Sequence, residues 1–533
     1  MPDSCTLYEN ARIYTLDPEL PNARAMLVCH GVVYALYSDP HPSVSGWEPL
    51  QRIDCKNLVL LPAFTDAHIH LMDTGKHLET VDVSSARSEG EAVEILKKAS
   101  RDIPPGEWIR GARWVHNLWS PPHLPSKESL DKSFPQNPVF LFSKCGHLLW
   151  ANSLALKAAG ITKDTPDPPS GNIEKDLQTR QPTGIIKENF DLICKEIPPI
   201  PNFKKIKLLK KAAAYFNRFG FVNVHANEPF DTFTLLQQLR QDKEFPLNVV
   251  IFVSASFLDR LIAAKMQSGF GNDKLRFGGV KLFVDGSLGG RTAWMNEPYE
   301  HEPDNTGINI MTREELKEII GKANNYGICT MTHAIGDRAV DTLIEVLFKI
   351  QKQNVPVPEI YFGNRVEHFQ LLSENTLALL KSVKGVASVQ PVHLFYDWHA
   401  ADQFWGNRSR FAYAFHSLKN SGWQLVFGSD SPVEPINPFW GLYAAVKRQD
   451  LEGNPPSGWY PEEILPVDEA LRAYCSSPPC IVGEESRKGT LSLGKRADFI
   501  LTDHDPLTEP PEVWKNSRVL GTVYAGEFVF REF

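Results

Sequence analysis

The chain has 533 residues, of which 42% are hydrophobic, 23% charged and 11% aromatic, an ordinary globular composition that excludes disordered and fibrous classes. Its 56 Lys and Arg against 64 Asp and Glu leave a net charge of −8, so no basic field is available to attract phosphate backbones, and nucleic acid is not expected as a partner. The length is enough for roughly three to four domains, or for one large barrel with additions.

The N-terminus, Met1-Pro-Asp-Ser-Cys5, lacks the basic and apolar regions of a secretory signal, so the mature protein is expected to begin at its first residue. Leu7 to Thr15 and Ala25 to Leu36 alternate apolar and polar residues, with Gly31 and Pro40 as turn punctuation, which is a β pattern. Eight strand-like runs follow: Leu60 to His70, Phe221 to Ala226, Val249 to Ser254, Val280 to Val284, Cys329 to His333, Ile360 to His368, Val386 to Gln390 and Leu425 to Asp430. Helical patterns such as Phe203 to Phe219, Arg313 to Tyr326 and Asp337 to Gln351 separate several of them. That alternation predicts an α/β fold, a (β/α)8 TIM-type barrel over residues 61–479, with its active site at the C-terminal ends of the strands.

A ninth run, Pro138 to Ser143, falls in the long gap between His70 and Phe221, and residues 75–205 are expected to be an insertion that caps the site. Within it, Thr165 to Gly184 reads as a loop or hairpin. The tail, from Lys488 through Leu501 and from Val519 to Phe530, again reads as strands joined by Gly-containing turns. Neither end has enough strands for a stable sheet, so residues 1–60 and 480–533 are expected to pair as one composite β-sandwich domain.

The longest apolar runs, Leu58 to Leu61 and Val249 to Val253, are far shorter than the roughly 20 residues that cross a bilayer, so neither a transmembrane helix nor a membrane partner is expected. Eight cysteines, scattered without a CxxC pair, read as reduced thiols in a cytoplasmic protein.

Asp66-Ala-His68-Ile-His70 ends the first barrel strand, and a spacing of two puts both imidazoles on one face, where they can share a metal. Alone this pair is weak evidence. Further candidates fall late in other strands, in Gly278 to Arg291 with Lys281, in Met331-Thr-His333, in Arg365-Val-Glu-His368 and in Phe427-Gly-Ser-Asp430-Ser-Pro. Each has a bland reading as well: a hydrogen-bonded strand-end histidine, a lysine paired with a carboxylate, or an aspartate N-capping a helix. Together, four histidines, one lysine and one aspartate at one end of a barrel converge on a metal site.

The ordered pattern HxH, Lys, His, His, Asp resembles the amidohydrolase superfamily. The stretches Gly278 to Ala293, Gly146-His147 with Trp150 to Leu156, Pro182 to Glu188 and Gly489 to Ile500 are similar to its YtcJ-like branch, which includes N-substituted formamide deformylase. The likeness runs from about residue 7 to 530.

It implies a divalent metal centre, usually zinc, in which His68, His70 and Asp430 would hold one ion and His333 and His368 the other, most simply two zinc ions per chain. Lys281 would bridge them after carboxylation by CO2; an unmodified Lys281 beside a mononuclear site is the alternative. A metal lowers the pKa of a bound water to about 7, and Asp430 would take the water's proton and return it to the leaving amine. His147, Arg291 and Trp114 are the candidates for contact with substrate, although many relatives have Asp where this chain has Cys145. Aromatics including Trp108, Trp119, Phe142 and Trp150 favour a bulky or aromatic small molecule. The expected activity is hydrolysis of a C–N bond in an amide, N-formyl compound or cyclic amide. A lyase or decarboxylase using the same metal site, and a binding protein without turnover, are the alternatives. A homodimer is compatible with the chain, which shows no interface motif.

Overall fold

Eight parallel strands lie side by side in chain order: β1 (Phe64–Ile69), β2 (Phe221–Asn227), β3 (Asn248–Ser254), β4 (Leu275–Phe283), β5 (Cys329–Ala334), β6 (Arg365–His368), β7 (Val386–Val389) and β8 (Gln424–Phe427). This computed structural model describes residues 5–46, 50–144, 148–168, 171–188, 190–352 and 363–533. Most barrel-strand residues are buried whichever way they point, as expected of a parallel sheet covered on both sides. Beyond the last strand, the Asp430 N–H donates to the His68 carbonyl at 2.8 Å and the His70 N–H to the Ser431 carbonyl at 2.9 Å. These bonds bring β8 to β1 and nearly close a (β/α)8 barrel. Between strands run helices such as Arg313–Asn325, started by a capping box of Thr312 and Glu315, and Asp337–Lys352, whose buried side recurs at Val340, Leu343, Ile344 and Leu347.

The run Leu60 to His70 is not one strand. Val59–Pro62 pairs with Phe499–Thr502 and with Arg12–Tyr14, and β1 starts only at Phe64. The Ala63 N–H goes to the Asp498 carbonyl and the Phe64 N–H to the Gly220 carbonyl, each at 3.0 Å, so the chain changes sheets across one peptide. In the run Ile360 to His368 the strand is Arg365–His368, and residues 360–362 lie outside the described residues.

Two further sheets are built from the ends of the chain. One comprises Cys5–Glu9, Ala25–Cys29, Val32–Tyr37 and Leu50–Asp54; the other joins Arg12–Tyr14, Asn22–Ala23 and Val59–Pro62 to Phe499–Thr502, Val519–Tyr524 and Glu527–Arg531. Tyr8, Met26 and Val28 from the first share a buried cluster with Leu60, Phe499, Leu501 and Val523 from the second. Here the expectation of eight reduced cysteines fails. The register sets Cys5 opposite Cys29 at a Cα separation of 4.4 Å, and the two form a disulfide. Cys55, Cys194, Cys329, Cys475 and Cys480 are free, and Cys145 is outside the described residues.

The chain divides into two compact units, residues 1–74 with 209–533, and residues 75–208. The second has its own six-stranded sheet, with Val139–Ser143 inside it, and Asn172–Lys175 and Pro182–Lys187 pair as an antiparallel hairpin. In its core Trp114, a candidate for substrate contact, is 1% exposed among Leu96, Leu141 and Trp150, and its indole N–H donates to the Leu141 carbonyl at 3.1 Å. A large ring with its one polar atom satisfied is what a sheet core selects. Among the described residues no helix is long and apolar enough to cross a membrane.

Candidate metal centre

The barrel brings His68, His368 and Asp430 together, all buried, with one potential ligand atom from each within 4.8 Å of the others. His333 joins them, its ring centroid 4.5 Å from that of His368. His70 completes the group through its Nε2, 3.3 Å from Asp430 Oδ1. Lys281, 3% exposed, lies on β4, the strand hydrogen-bonded to β5 that carries His333.

Two of these residues sit at sharp backbone turns. His368 and Asp430 have left-handed φ angles of 66° and 59°, a conformation that costs a non-glycine residue about 1–3 kcal/mol and persists only where its surroundings enforce it. For Asp430 the enforcement is visible. Asp66 accepts the backbone N–H of His68 at 3.2 Å, the backbone N–H of Ser429 at 3.0 Å and the Ser429 hydroxyl at 2.6 Å, tying the end of β1 to the segment after β8. Gly428 makes the approach possible, because a Cβ there would lie 2.6 Å from the His68 nitrogen.

Charge follows from burial. It drives the His333 imidazole down to about 3, with Lys281 adding to the effect, and lowers His68 and His368 as well. The three rings are therefore neutral and offer lone pairs. For Asp430 burial works upward, but His68, His70 and His368 outweigh it and hold the carboxyl well below the usual range. Burial also brings the Lys281 ammonium down to about 8, against the opposing pull of Glu367 and Asp430.

The charged pair next to His368, unassigned by sequence reasoning, organises this group. The Glu367 carboxylate accepts from His68 Nδ1 and from Arg365 Nε, the latter at 2.8 Å, and all three side chains are buried. His68 therefore carries its proton on Nδ1, which leaves a bare Nε2 lone pair 3.5 Å from Asp430 Oδ1. Two electron-rich atoms face each other with no proton between them. Asp430 Oδ1 and His368 Nδ1 are both buried without a hydrogen-bond partner, a costly arrangement that a cation would relieve. The donor set, neutral imidazoles with carboxylate, suits a borderline divalent ion such as zinc. The signal missed in the sequence is an Arg and a Glu two apart on a strand buried on both sides, since such charges are rarely buried unpaired.

The other candidates lie apart or are engaged. Arg291, in the loop after β4, is 46% exposed in its side chain, pairs with Glu302 and lies over the Phe404 ring at 5.4 Å. His147 lies outside the described residues. Asp285 is occupied by the N–H groups of Trp294, Ile335 and Gly336 at 2.8–3.0 Å, a bracing role for the segment around His333. Phe283, two residues beyond Lys281 on the same face of β4, is a large side chain left 42% exposed, with its ring 5.4 Å from that of His333.

The model of the amidohydrolase family matches residues 51–530. The chain belongs to the amidohydrolase family. It is 29% identical to YtcJ of Bacillus subtilis over 99% of both chains, and 25% identical to the N-substituted formamide deformylase of Arthrobacter pascens over 97% of this chain and 96% of that one. An uncharacterized metal-dependent hydrolase from Pyrococcus furiosus has a similar structure, with a TM-score of 0.77, 28% identity and coverage of 95% of this chain and all of the other. The YtcJ-like resemblance and the (β/α)8 barrel thus hold for this amidohydrolase, and its structural relative from Pyrococcus furiosus is a metal-dependent hydrolase.

Proposed function

We propose that this amidohydrolase holds two zinc ions, one on His68, His70 and Asp430 and the other on His333 and His368, with carboxylated Lys281 between them, and hydrolyses the C–N bond of an amide, N-formyl compound or cyclic amide. The observation that carries this reading is the pair of atoms, Asp430 Oδ1 and His368 Nδ1, buried among the imidazoles of the site with no well-formed hydrogen bond of their own. When bound, the metal supplies Lewis acidity toward a carbonyl and lowers the pKa of water. Asp430 is ionised at neutral pH and can accept a proton at Oδ1, then return it to the departing nitrogen. His333 is a poor shuttle, because its Nε2–H is committed to the Gly286 carbonyl at 2.8 Å. The relation to an N-substituted formamide deformylase makes N-formyl amines the first substrates to try. Metal counted per chain, together with turnover of a panel of N-formyl and N-acyl amines, tests the reading. Protein that takes up no zinc overturns it.

Lys281 can add to CO2 only as the free amine: its nitrogen bonds the carbon and a proton is released. With the ammonium brought down to about 8, the reactive form grows as pH rises through that value. Uptake of the second equivalent of zinc by metal-free protein is therefore expected to be greater at pH 9 than at pH 6.5, and greater with bicarbonate than without. Uptake stopping at one equivalent under all four conditions would identify a mononuclear site with Lys281 unmodified.

Phe283 presents apolar surface beside Lys281 and His333, which supports a bulky or aromatic group near the scissile bond. Phe283→Ala is expected to lower kcat/KM for an arylalkyl formamide by about 10–100-fold while changing that for N-methylformamide by less than about threefold, in line with the size of apolar pocket contacts. Equal losses on both substrates would assign the ring to packing.

A further inference from the structure

We infer that Glu367 selects the tautomer of His68, and that Arg365 holds Glu367 in the only orientation able to do so; both act as positioning residues for the metal site. The inference rests on the reading of His68 as a metal ligand.

Arg365 is a donor-only side chain at the centre of a buried network. Its Nε donates to Glu367 Oε1 at 2.8 Å and its Nη2 to Glu367 Oε2 at 3.3 Å, to the Ala67 carbonyl at 2.6 Å and to the Ser388 hydroxyl at 2.9 Å. Its Nη1 donates to His225 Nδ1 at 2.8 Å. The guanidinium is thus bonded to groups on β1, β2, β6 and β7, and it cannot turn without breaking several bonds where no water replaces them. Glu367 is fixed in turn, with Oε2 against His68 Nδ1. Because both carboxylate oxygens are acceptors, His68 can meet this partner only through an Nδ1–H. Its Nε2 is then bare and stands toward Asp430. Buried carboxylate partners of this kind orient metal-binding imidazoles and strengthen them as ligands.

Glu367→Gln separates this role from simple packing. The new amide has one acceptor and one donor group, and Arg365 can accept nothing, so the amide oxygen must face Arg365 and the NH2 must face His68. Two donors cannot meet, so His68 moves its proton to Nε2, where the N–H points at Asp430 Oδ1 and takes the place of the cation. The bond from Arg365 Nη2 to Oε2 is lost and the guanidinium loses its counter-charge, but its bonds to the amide oxygen, Ala67, Ser388 and His225 are kept, so folding of the metal-free variant is measured alongside binding. Glu367→Asp keeps two acceptor oxygens and retains the native tautomer.

The experiment measures zinc affinity by competition with a chromophoric chelator, and the visible absorption of the cobalt(II)-loaded protein, for wild type, E367Q and E367D, with circular dichroism as the check on folding. For E367Q we expect one equivalent bound about 10–100-fold more weakly and an altered cobalt spectrum, and for E367D affinity within about tenfold of wild type. Folded E367Q with wild-type affinity and spectrum overturns the inference, as does E367D failing as badly as E367Q. Should E367Q not fold, R365K carries the test: one ammonium cannot span Glu367, Ala67, Ser388 and His225 together, so weakened metal binding is expected, and wild-type affinity overturns the inference. Wild-type protein that binds neither zinc nor cobalt sinks the metal reading itself, an outcome distinct from failure of the variants alone.

Discussion

Asp430→Asn is expected to reduce kcat by a factor of at least about 10²–10⁴ on any substrate the enzyme turns over, the range that loss of a positioned proton acceptor produces. The fold should survive. Asp430 sits at φ 59°, which Asn tolerates as well as Asp does, and the turn is held by the backbone N–H of Asp430 and by Asp66 and Ser429, not by the carboxylate. Replacing Oδ1 disturbs only the contacts with His70 Nε2 at 3.3 Å and His68 Nε2 at 3.5 Å. Steady-state kinetics alongside metal content and thermal unfolding check this. Turnover of D430N within about tenfold of wild type would mean that another group moves the proton, and the assignment of Asp430 would fall.

Arg365→Ala is expected to destabilise the metal-free protein by about 3–5 kcal/mol, the cost of removing one partner from a buried ion pair. The replaced side chain leaves the Glu367 carboxylate buried with His68 as its hydrogen-bond partner and Lys281 as the nearby cation, and strands the Ala67 carbonyl, the Ser388 hydroxyl and His225 Nδ1. Glu367 is the more sensitive partner. Burial pushes its carboxyl upward, and it is Arg365 first, then His68, that holds it below the usual carboxylate range. With Arg365 gone, Glu367 is expected to take up a proton on folding, so the stability lost should depend on pH. A carboxylate whose folded pKa is depressed contributes stability above its unfolded value of about 4.3, and that contribution is lost as pH falls toward the folded value. The wild-type advantage over R365A should therefore be larger at pH 7 than at pH 4. Guanidinium unfolding of both metal-free proteins at the two pH values measures it, and a difference below about 1 kcal/mol at pH 7 would show that the network is not what holds these strands together.

The sequence by itself determined the barrel and the ligand candidates. Most barrel strands are short apolar runs, and His68, His70, Lys281, His333, His368 and Asp430 stand near or just beyond the C-terminal ends of their strands, so strand order alone collects them at one end of the sheet. Periodicity reports which face a residue occupies, and where one run stops and another begins. It does not report which neighbour a backbone or a side chain meets. Hence the change of sheet at Ala63, the Cys5–Cys29 bond across 24 residues, and the burial of Trp114 against Leu141 were decided only by tertiary pairing. The same holds for the group that sets the chemistry. Arg365 and Glu367 have no role legible in the chain order, because it depends on His68, nearly 300 residues away, and on His225 and Ser388 on other strands. A buried charge is tolerated only where its partners converge in space, and that convergence is a property of the nearly closed barrel, not of any one of its strands.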